Sequence, residues 1–434
     1  MDYKTSRYNI YFSHNDKEYI YNTLSTSIVE VENELSINLQ NNTLSNVNIN
    51  YFEELIKQGF IVHSDSDEVQ KYLSFYDDEK QIAQNTSLGI TIIPTYSCNL
   101  KCTYCLQGQE HKSIMMSQES INAILLYIED YVKAHSQLKH ISISFYGGEP
   151  LLHLEACTKI TNGVSEIGKR NNIETHFMII TNLTLLSAES IDFIKNYNVF
   201  LQVSIDGSKE QHDLKRIFPD KRGTYDLIIS NLKRLTNAGL KKNVTIRLNV
   251  DLLNLANIDS MLANVRGYSD DLYFSLLQEF KGMNDGICED VIPSGQTSIA
   301  NFEFGKTYKK YNLPAIRNFG KKSPCAISSS NRIWIDCNND IYKCEILVNN
   351  PEFAVGKILD NGIVEYNKNY TKYTNWHPVH NQRCIACELL PLCAGGCPAR
   401  FASETNNPLQ YCNCSQSKET LVGHLKNYLD LEVL

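Results

Sequence analysis

The strongest constraint in this chain is a group of three closely spaced cysteines near residue 100. Cys98, Cys102 and Cys105 have the spacing C-x3-C-x2-C and follow the apolar segment 90–95. Three thiolates on one short loop can bind a corner of an iron–sulfur cubane, and a [4Fe–4S] cluster normally takes four cysteines. The next cysteine, Cys157, is distant in sequence, so one iron would stay open to a non-protein ligand. A structural zinc site or core thiols are the alternatives, but zinc usually takes four protein ligands, commonly in pairs.

The composition is that of an ordinary soluble chain. Its 434 residues predict two or three domains. The 14 cysteines are too sparse for a disulfide scaffold, and ten of them follow residue 287, which favours metal ligation in a reducing compartment. The net charge of −8 argues against a nucleic-acid partner. No apolar stretch has the length of a signal core or a membrane span, so a cytoplasmic location without a membrane partner is expected.

From residue 88 to about 290, strand-like runs alternate with helix-like patterns. This alternation predicts an α/β fold in which helices cover a parallel sheet. The predicted strands cover residues 89–95, 140–146, 175–181, 199–205, 244–250 and 272–277. Ser117 is expected to cap a helix over 117–133, and Gly239 to end a helix over 225–238.

The three-cysteine loop resembles that of the radical S-adenosylmethionine (SAM) family. The resemblance implies a partial (β/α)6 barrel, with the amino and carboxylate groups of SAM chelating the open iron. It further implies that the reduced cluster cleaves SAM to a 5′-deoxyadenosyl radical, which abstracts hydrogen from a substrate.

The same resemblance implies a set of SAM contacts at the carboxyl ends of the predicted strands, where barrel enzymes place their sites. They are Tyr104 near the adenine, Gly147, Gly148 and Glu149 at the amino group, Asn182 and Ser204 at strand ends, Arg216 near the carboxylate and Asn249 near the ribose. Gly-Gly-Glu alone is usually a turn, Arg216 could be a surface residue, and Asn249 could cap a turn. Leu183 occupies a position where relatives often have glycine, so the backbone is expected to differ there.

The C-terminal cysteines form a second group, which resembles the SPASM extension of radical SAM maturases. That extension binds up to two auxiliary [4Fe–4S] clusters, so the resemblance implies three clusters in all. The ligands of the first auxiliary cluster would be Cys325, Cys344 and Cys397, with Cys337 as a possible fourth; those of the second would be Cys384, Cys387, Cys393 and either Cys412 or Cys414. Zinc ribbons are the alternative. In some relatives an acid beside an auxiliary ligand serves as a base, and Glu345 stands in that place here.

Residues 1–85 carry the signals of a small separate domain. A β-hairpin is predicted over residues 7–22, followed by a helix that ends near Gly59 and another over 67–76. Together they resemble the winged-helix-like peptide-recognition element of enzymes that modify ribosomally made peptides. An N-terminal cap without a ligand is the alternative reading.

The combined interpretation is a radical SAM/SPASM maturase of a ribosomally synthesised peptide. Its expected domains are the recognition domain 1–85, the barrel 86–290, a turn-rich bridging region 291–324 and the auxiliary-cluster domain 325–434. It would install a thioether or carbon–carbon crosslink in a precursor whose leader binds the first domain, with electrons from a donor such as flavodoxin or ferredoxin. The alternatives are an anaerobic sulfatase maturase that forms formylglycine, and a non-catalytic peptide-binding electron carrier.

Overall fold

The computed structural model describes residues 2–105, 107–108, 113–277, 297–313, 320, 322–399 and 417–433. The strands are β1 (Tyr3–Thr5), β2 (Asn9–His14), β3 (Lys17–Asn22), β4 (Ile28–Val31), β5 (Ile61–His63), β6 (Ser87–Ile92), β7 (His140–Phe145), β8 (Glu174–Thr181), β9 (Phe200–Ile205), β10 (Val244–Val250), β11 (Asp271–Leu276), β12 (Arg332–Ile335), β13 (Asp340–Tyr342), β14 (Gly356–Ile358) and β15 (Val364–Tyr366). The helices are α1 (Asn33–Gln40), α2 (Ile49–Lys57), α3 (Glu68–Thr86), α4 (Gln118–Ala134), α5 (Leu154–Asn171), α6 (Ala188–Tyr197), α7 (Lys209–Lys215), α8 (Tyr225–Asn237), α9 (Ile258–Val265), α10 (Thr297–Lys310), α11 (Lys368–Thr374), α12 (Gln382–Ala386), α13 (Leu390–Cys393) and α14 (Lys418–Val433).

The centre of the fold is a parallel sheet in the order β11-β10-β9-β8-β7-β6, with helices between successive strands. It confirms the predicted α/β class, and all six predicted strands are present with bounds shifted by three residues or fewer. Strand alternation explains the packing: Ile141, Ile143 and Phe145 are buried in the main core, whereas Ser142 and Ser144 lie on the opposite, more open face. That open face is available to a ligand.

The predicted helix boundaries are explained by local capping. The Ser117 side chain accepts a hydrogen bond from Ser120 N at the start of α4, as expected of an N-cap. Gly239 follows α8 with φ +78°, a conformation that glycine adopts without strain. No helix among the described residues is long and apolar enough to cross a lipid bilayer.

The same sheet continues into the C-terminal part of the chain. β12 pairs in parallel with β6, with Ile333 opposite Ile90, and β13, β14 and β15 then extend the sheet antiparallel. Asn339, in the β12–β13 turn, has φ +65°, and asparagine tolerates this left-handed conformation better than most residues. The cysteine-rich region is therefore joined to the parallel sheet by continuous strand pairing.

Residues 1–85 begin with the expected hairpin. β2 and β3 are joined through Asn15 (φ 50°) and Asp16 (φ 60°), the two left-handed positions of a tight hairpin turn. β4 completes a three-stranded antiparallel sheet in the order β2-β3-β4. One face of this sheet packs on α1 and α2, and the other packs on residues of the cysteine-rich region and α14.

The bridging region differs from the turn-rich segment expected from the sequence, because α10 lies within it. Ala300, Phe304 and Tyr308 are buried at a spacing of four residues, which places them on one helix face. α10 packs against α14, and a Cβ at Gly305 would lie 2.2 Å from Leu431 Cδ1. The amphipathic pattern was present in the sequence, and Asn312, with φ 55°, ends the helix in the left-handed conformation that asparagine often adopts there.

Candidate functional site

The three-cysteine loop follows β6 and is held by backbone hydrogen bonds. Lys101 N donates to Ile217 O at 2.7 Å, and Thr103 N donates to Lys215 O at 2.9 Å. Burial raises the pKa of Cys98 to about 12 and also raises those of Cys102 and Cys105. Thiolates at these positions would therefore need a bound cation to stabilise them, which suits ligation of iron.

The Gly147–Glu149 segment packs directly on the backbone that leads into the cysteine loop. Gly148 N donates to Thr95 O at 3.1 Å, and Glu149 N donates to Ser97 O at 2.9 Å. A Cβ at Gly148 would lie 2.0 Å from Ser97 O, and one at Gly147, whose φ is +124°, would lie 2.7 Å from Thr95 O. The structure thus explains both glycines by backbone packing within the protein.

Glu149 is fully buried and ties the ends of neighbouring strands together. Its carboxylate accepts hydrogen bonds from Leu151 N, Thr181 Oγ1 and Asn182 N at 2.8–3.0 Å. Burial raises the pKa of Glu149, and these three hydrogen bonds oppose that rise.

Asn182 connects the end of β8 to the cysteine loop. Its Nδ2 donates to Asn99 Oδ1 at 3.0 Å and lies 3.9 Å from Cys98 Sγ. The next residue, Leu183, is buried with φ +57°, so this backbone keeps the left-handed conformation that glycine would favour. The difference in backbone from relatives expected at Leu183 stays a prediction.

A hydrogen-bonded network surrounds Tyr104 at the same end of the sheet. The Tyr104 hydroxyl donates to the Asp206 carboxylate and accepts from Arg216 Nη1 at 2.8 Å and Asn249 Nδ2 at 3.2 Å. Asn249 Nδ2 also donates to Asp206 Oδ1 at 2.8 Å. Burial raises the pKa of Tyr104, so the hydroxyl keeps its proton.

Two atoms of this network have no partner within the described protein. Arg216 Nε and Asn249 Oδ1 are buried and make no hydrogen bond there. Unpaired buried polar atoms are costly, so one donor and one acceptor are available here for a ligand.

His212 is linked to the backbone of Arg216 through hydrogen bonds to Thr224. Its Nδ1 accepts from Asp206 N at 3.3 Å, so its Nε2 carries the proton and donates to Thr224 Oγ1 at 2.9 Å. Thr224 Oγ1 in turn donates to Arg216 O at 2.7 Å. Burial lowers the pKa of His212 to about 4, which keeps the ring neutral.

Arg247 is a site residue that was not predicted from the sequence. It lies in β10 opposite Ser204 of β9 and Tyr273 of β11, on the open face of the sheet. Its Nη2 donates to Ser275 Oγ at 2.8 Å, whereas its buried Nε has no partner in the described structure. The sequence signal was available, because Arg247 precedes Asn249 by two residues and strand alternation places both on one face.

Glu345 lies close to the same end of the sheet. Burial raises the pKa of Tyr146, and the negative charge of Glu345 raises it further. The charge of Glu345 also contributes to the raised pKa of Tyr273. Glu345 itself is exposed to solvent.

The structure brings together three of the C-terminal cysteines. Burial raises the pKa of Cys344 to about 12, with further contributions from the charges of Cys325 and Cys397. For Cys337 burial likewise raises the pKa to about 12, but the neighbouring charges are the carboxylates of Asp336 and Asp340. Whether Cys337 is a ligand stays a prediction.

Cys384, Cys387 and Cys393 lie where residues 1–85 meet the C-terminal region. Cys384 is buried in one cluster with Tyr8 and Tyr72. Burial raises the pKa of Tyr8 to about 12, and Cys387 contributes to this rise, while Cys393 contributes to the raised pKa of Tyr72. Cys412 and Cys414, predicted as alternative ligands, lie outside the described residues.

The sequence matches a known family over its central part. Residues 92–263 match the Radical SAM superfamily. A cysteine-type anaerobic sulfatase-maturating enzyme of Clostridium novyi is 27% identical, covering 74% of this chain and 90% of that protein. The radical SAM cyclopropyl synthase TigE of Paramaledivibacter caminithermalis is 23% identical over 88% of this chain and 82% of TigE.

Solved structures share the fold. Native anSMEcpe with bound AdoMet and Cp18Cys peptide aligns with a TM-score of 0.64 and 20% identity, covering 80% of this chain and 98% of that one. Streptococcus suis SuiB bound to precursor peptide SuiA aligns with a TM-score of 0.55 and 16% identity, covering 95% of this chain and 99% of SuiB. The second alignment extends over more of this chain.

Proposed function

Because this chain carries a radical SAM domain and is an enzyme of the radical SAM superfamily, we propose that it matures a ribosomally synthesised precursor peptide. The proposed product is a thioether or carbon–carbon crosslink. The observation that carries this proposal is the sheet β2-β3-β4, both faces of which are buried, so that a peptide could join it only at an edge. A peptide substrate is supported by the fold shared over 95% of this chain with Streptococcus suis SuiB, whose structure holds the precursor peptide SuiA.

The residues at the carboxyl ends of the strands fit SAM and a [4Fe–4S] cluster. Cys98, Cys102 and Cys105 supply three thiolate donors, and the unpaired atoms Arg216 Nε and Asn249 Oδ1 supply a donor and an acceptor beside them. When bound, the cluster and SAM supply the radical that abstracts hydrogen from the substrate.

The protein's own side chains would orient SAM. The Arg216 guanidinium suits a carboxylate, because its fork presents paired N–H donors. Asn249 Oδ1 could accept from a ribose hydroxyl, and Tyr104, held by three polar partners, would border the adenine. Gly147 and Gly148 bring the backbone close to the cysteine loop, Glu149 joins the ends of β7 and β8, and Asn182 bonds to Asn99 in the loop. Ser204 lies on the open face beside Arg247.

The C-terminal cysteines are proposed as ligands of two auxiliary [4Fe–4S] clusters. The first would be held by Cys325, Cys344 and Cys397, and the contributions of the other two charges to the raised pKa of Cys344 support this set. The second would be held by Cys384, Cys387, Cys393 and one of Cys412 or Cys414. Crosslinking by radical coupling releases one further electron, which an auxiliary cluster could accept, and a flavodoxin or ferredoxin would supply the initial electron.

The leader peptide is proposed to add to the β4 edge of the three-stranded sheet. At the other edge, the last residue of β2 contacts the C-terminal helix, because His14 Nε2 forms a hydrogen bond with Asp430 Oδ1 at 2.6 Å. Strand addition would supply backbone hydrogen bonds for affinity, and side-chain pockets would provide specificity. Tethering would then raise the concentration of the core peptide near the barrel.

Two proline substitutions test the β4 edge without removing the domain. Adjacent amides of an edge strand point alternately to the partner strand and outward, so only one of Val29→Pro and Glu30→Pro leaves pairing with β3 intact. The folded variant should lose affinity for a labelled synthetic leader, measured by fluorescence anisotropy. Glu365→Pro in β15, an edge strand of the large sheet, is the control and should bind normally. Unchanged affinity in every folded variant would exclude β4 as the docking edge.

The reaction itself is tested on short peptides encoded by any reading frames found beside the gene, each supplied as a candidate precursor. Reduced protein and SAM should yield 5′-deoxyadenosine and a peptide lacking two hydrogens, detected by chromatography and mass spectrometry. The Cys98/Cys102/Cys105→Ala variant should form neither product. Deoxyadenosine from both proteins, or from neither, would contradict the proposal; the latter result would favour the electron-carrier alternative.

Anaerobic sulfatase maturation is the second candidate. It is favoured by the similarity to the Clostridium novyi enzyme, and by Glu345, an acid directly after Cys344 and close to Tyr146. Glu345 would then act as the base of the oxidation. Formylglycine in a sulfatase-derived peptide, with no change in the neighbouring precursor, would establish this function instead.

A further inference from the structure

We propose that His140, Glu174 and His176 form a binding site for a divalent first-row transition metal of the zinc class at the amino end of the parallel sheet. This site is separate from every predicted cysteine ligand and does not depend on the proposed function. One histidine nitrogen from each ring and a carboxylate oxygen all lie within 4.8 Å of one another.

Strand register assembles this group. His140 begins β7 and lies directly opposite Glu174, which begins β8. His176 follows Glu174 by two residues, so strand alternation places its side chain on the same face. The two imidazole rings are nearly parallel, with an interplanar angle of 27° and centroids 6.1 Å apart. The three ligands are therefore held by backbone pairing and not by flexible loops.

The Glu174 carboxylate lies between the two rings. Glu174 Oε2 lies 3.3 Å from His140 Nδ1, and Glu174 Oε1 lies 3.4 Å from His176 Nε2. Each distance is close to the roughly 3.3 Å that separates two ligands of a tetrahedral ion at zinc-like bond lengths of about 2.0 Å, and an ion would bind one of the two oxygens. Both contacts are longer than an optimal N–H···O hydrogen bond of about 2.9 Å. Small side-chain rotations would bring all three donors to one ion, with water at the remaining position.

The site is accessible from solvent and remote from the chemistry. The side chains of His140 and His176 are 46% and 47% exposed. Six residues along β7 separate His140 from Tyr146, which corresponds to about 20 Å. A bound ion would therefore crosslink the first residues of β7 and β8, whose opposite ends carry the Gly147–Glu149 segment and Asn182.

The test uses the full-length protein with its clusters reconstituted, so that cysteines are occupied by iron. After equilibration with buffered micromolar Zn²⁺ and desalting, the wild type should retain one zinc equivalent, measured by elemental analysis. The zinc absorption edge should show nitrogen and oxygen neighbours. Zinc should also raise the thermal midpoint of the wild type, because the ion binds the folded state.

The double variant His140→Gln/His176→Gln should lose the zinc equivalent and the thermal shift. His63→Gln is the matched control, because His63 is also exposed and paired with a carboxylate, Asp65, but belongs to no three-ligand group among the described residues. This control should retain the zinc. Sulfur neighbours at the absorption edge, equal zinc in both variants, or no zinc in the wild type would each overturn the proposal.

Discussion

Gly148 shows how a single residue fixes the position of the cysteine loop. Its backbone approaches residues 95–97 so closely that a methyl group would overlap the Ser97 carbonyl. The obstruction is backbone, so it cannot be relieved by a side-chain rotation. Cys98 directly follows this carbonyl in sequence, which links the glycine to the geometry of the ligand loop.

The substitution Gly148→Ala should displace the segment that leads to Cys98. We expect the free energy of unfolding to fall by about 1–3 kcal/mol, with less iron retained after reconstitution. Gly267→Ala is the control, since its added Cβ meets nothing within 4 Å and its φ is not left-handed. Denaturant titration and iron analysis measure both effects. Equal behaviour of the two variants would contradict the packing role of Gly148.

His212 makes a prediction about pH. Burial lowers its pKa to about 4, below the value of about 6.5 expected when unfolded. The unfolded state therefore binds a proton first as pH falls, so the stability from neutral His212 is present above pH 6.5 and is lost towards pH 4. Between pH 7 and 5.5 the wild type should lose about 1 kcal/mol through this residue.

The variant His212→Gln isolates this contribution, because glutamine can still donate to Thr224 but does not titrate. Its unfolding free energy should fall less steeply over the same pH interval than that of the wild type. Parallel pH dependences in denaturant titrations would show that His212 is not the titrating group.

At the scale of elements, α7 and the ends of the strands hold the cysteine loop in place through hydrogen bonds and a buried ion pair. Lys215, the last residue of α7, accepts a backbone hydrogen bond from Thr103, and Ile217, two residues later, accepts one from Lys101. Lys215, at the end of α7, forms an ion pair with Asp251, which follows β10, and their side chains are only 6% and 0% exposed. Asp251 also accepts from Leu253 N and so fixes its own turn.

The substitution Asp251→Asn should leave the Lys215 charge buried without its partner. Loss of one member of a buried pair costs about 3–5 kcal/mol, and we expect iron retention by the cysteine loop to fall with it. Asp226→Asn breaks the exposed pair with Lys209, whose N···O distance is 2.6 Å, and should cost no more than about 1 kcal/mol. Similar losses of unfolding free energy in both variants, measured by chemical denaturation, would contradict the stabilising role of the buried Lys215–Asp251 pair.

At the scale of the whole molecule, residues 1–85 and the cysteine-rich region share buried cores. Tyr8 and Tyr72 pack with Trp376 and Leu390. Ile10 and Phe12 lie in a second cluster, which includes side chains of α14. Polar contacts cross the same boundary, including Thr23 Oγ1 donating to Glu388 O at 2.7 Å. Residues 1–85 therefore also shield from solvent the cysteines proposed to bind the second auxiliary cluster.

A chain that begins at Thr86 should lose this shielding. The full-length protein should hold about twelve irons in three cubanes, and the truncated chain about four fewer. Its exposed Trp376 and Leu390 should promote association, seen by size-exclusion chromatography, while SAM cleavage should persist because the proposed SAM contacts lie after residue 100. The full-length variant Cys384→Ala/Cys387→Ala, which keeps residues 1–85, should lose the same number of irons as the truncated chain but should not associate. Undiminished iron in the truncated chain would contradict the shared-core account.

Local patterns in the sequence determined the strands of the parallel sheet, the cap at Ser117, the Asn15–Asp16 hairpin and the three-cysteine loop. Each depends on residues close together along the chain, where backbone preference and side-chain periodicity act directly. Only the tertiary structure shows that the Ser97 backbone leaves no room for a Cβ at Gly148. It also shows that the buried Nε of Arg247 has no hydrogen-bond partner among the described residues. These features depend on distances between segments that sequence spacing does not specify.

The same limit applies to the larger assembly. Sequence signals outlined residues 1–85, but not the cores they share with Trp376, Leu390 and α14. His140, Glu174 and His176 are unremarkable as sequence letters, and they converge only because the register of β7 and β8 places them side by side. Hydrophobic burial and strand pairing join residues that are distant in sequence, so the contacts between segments became visible only in the folded chain.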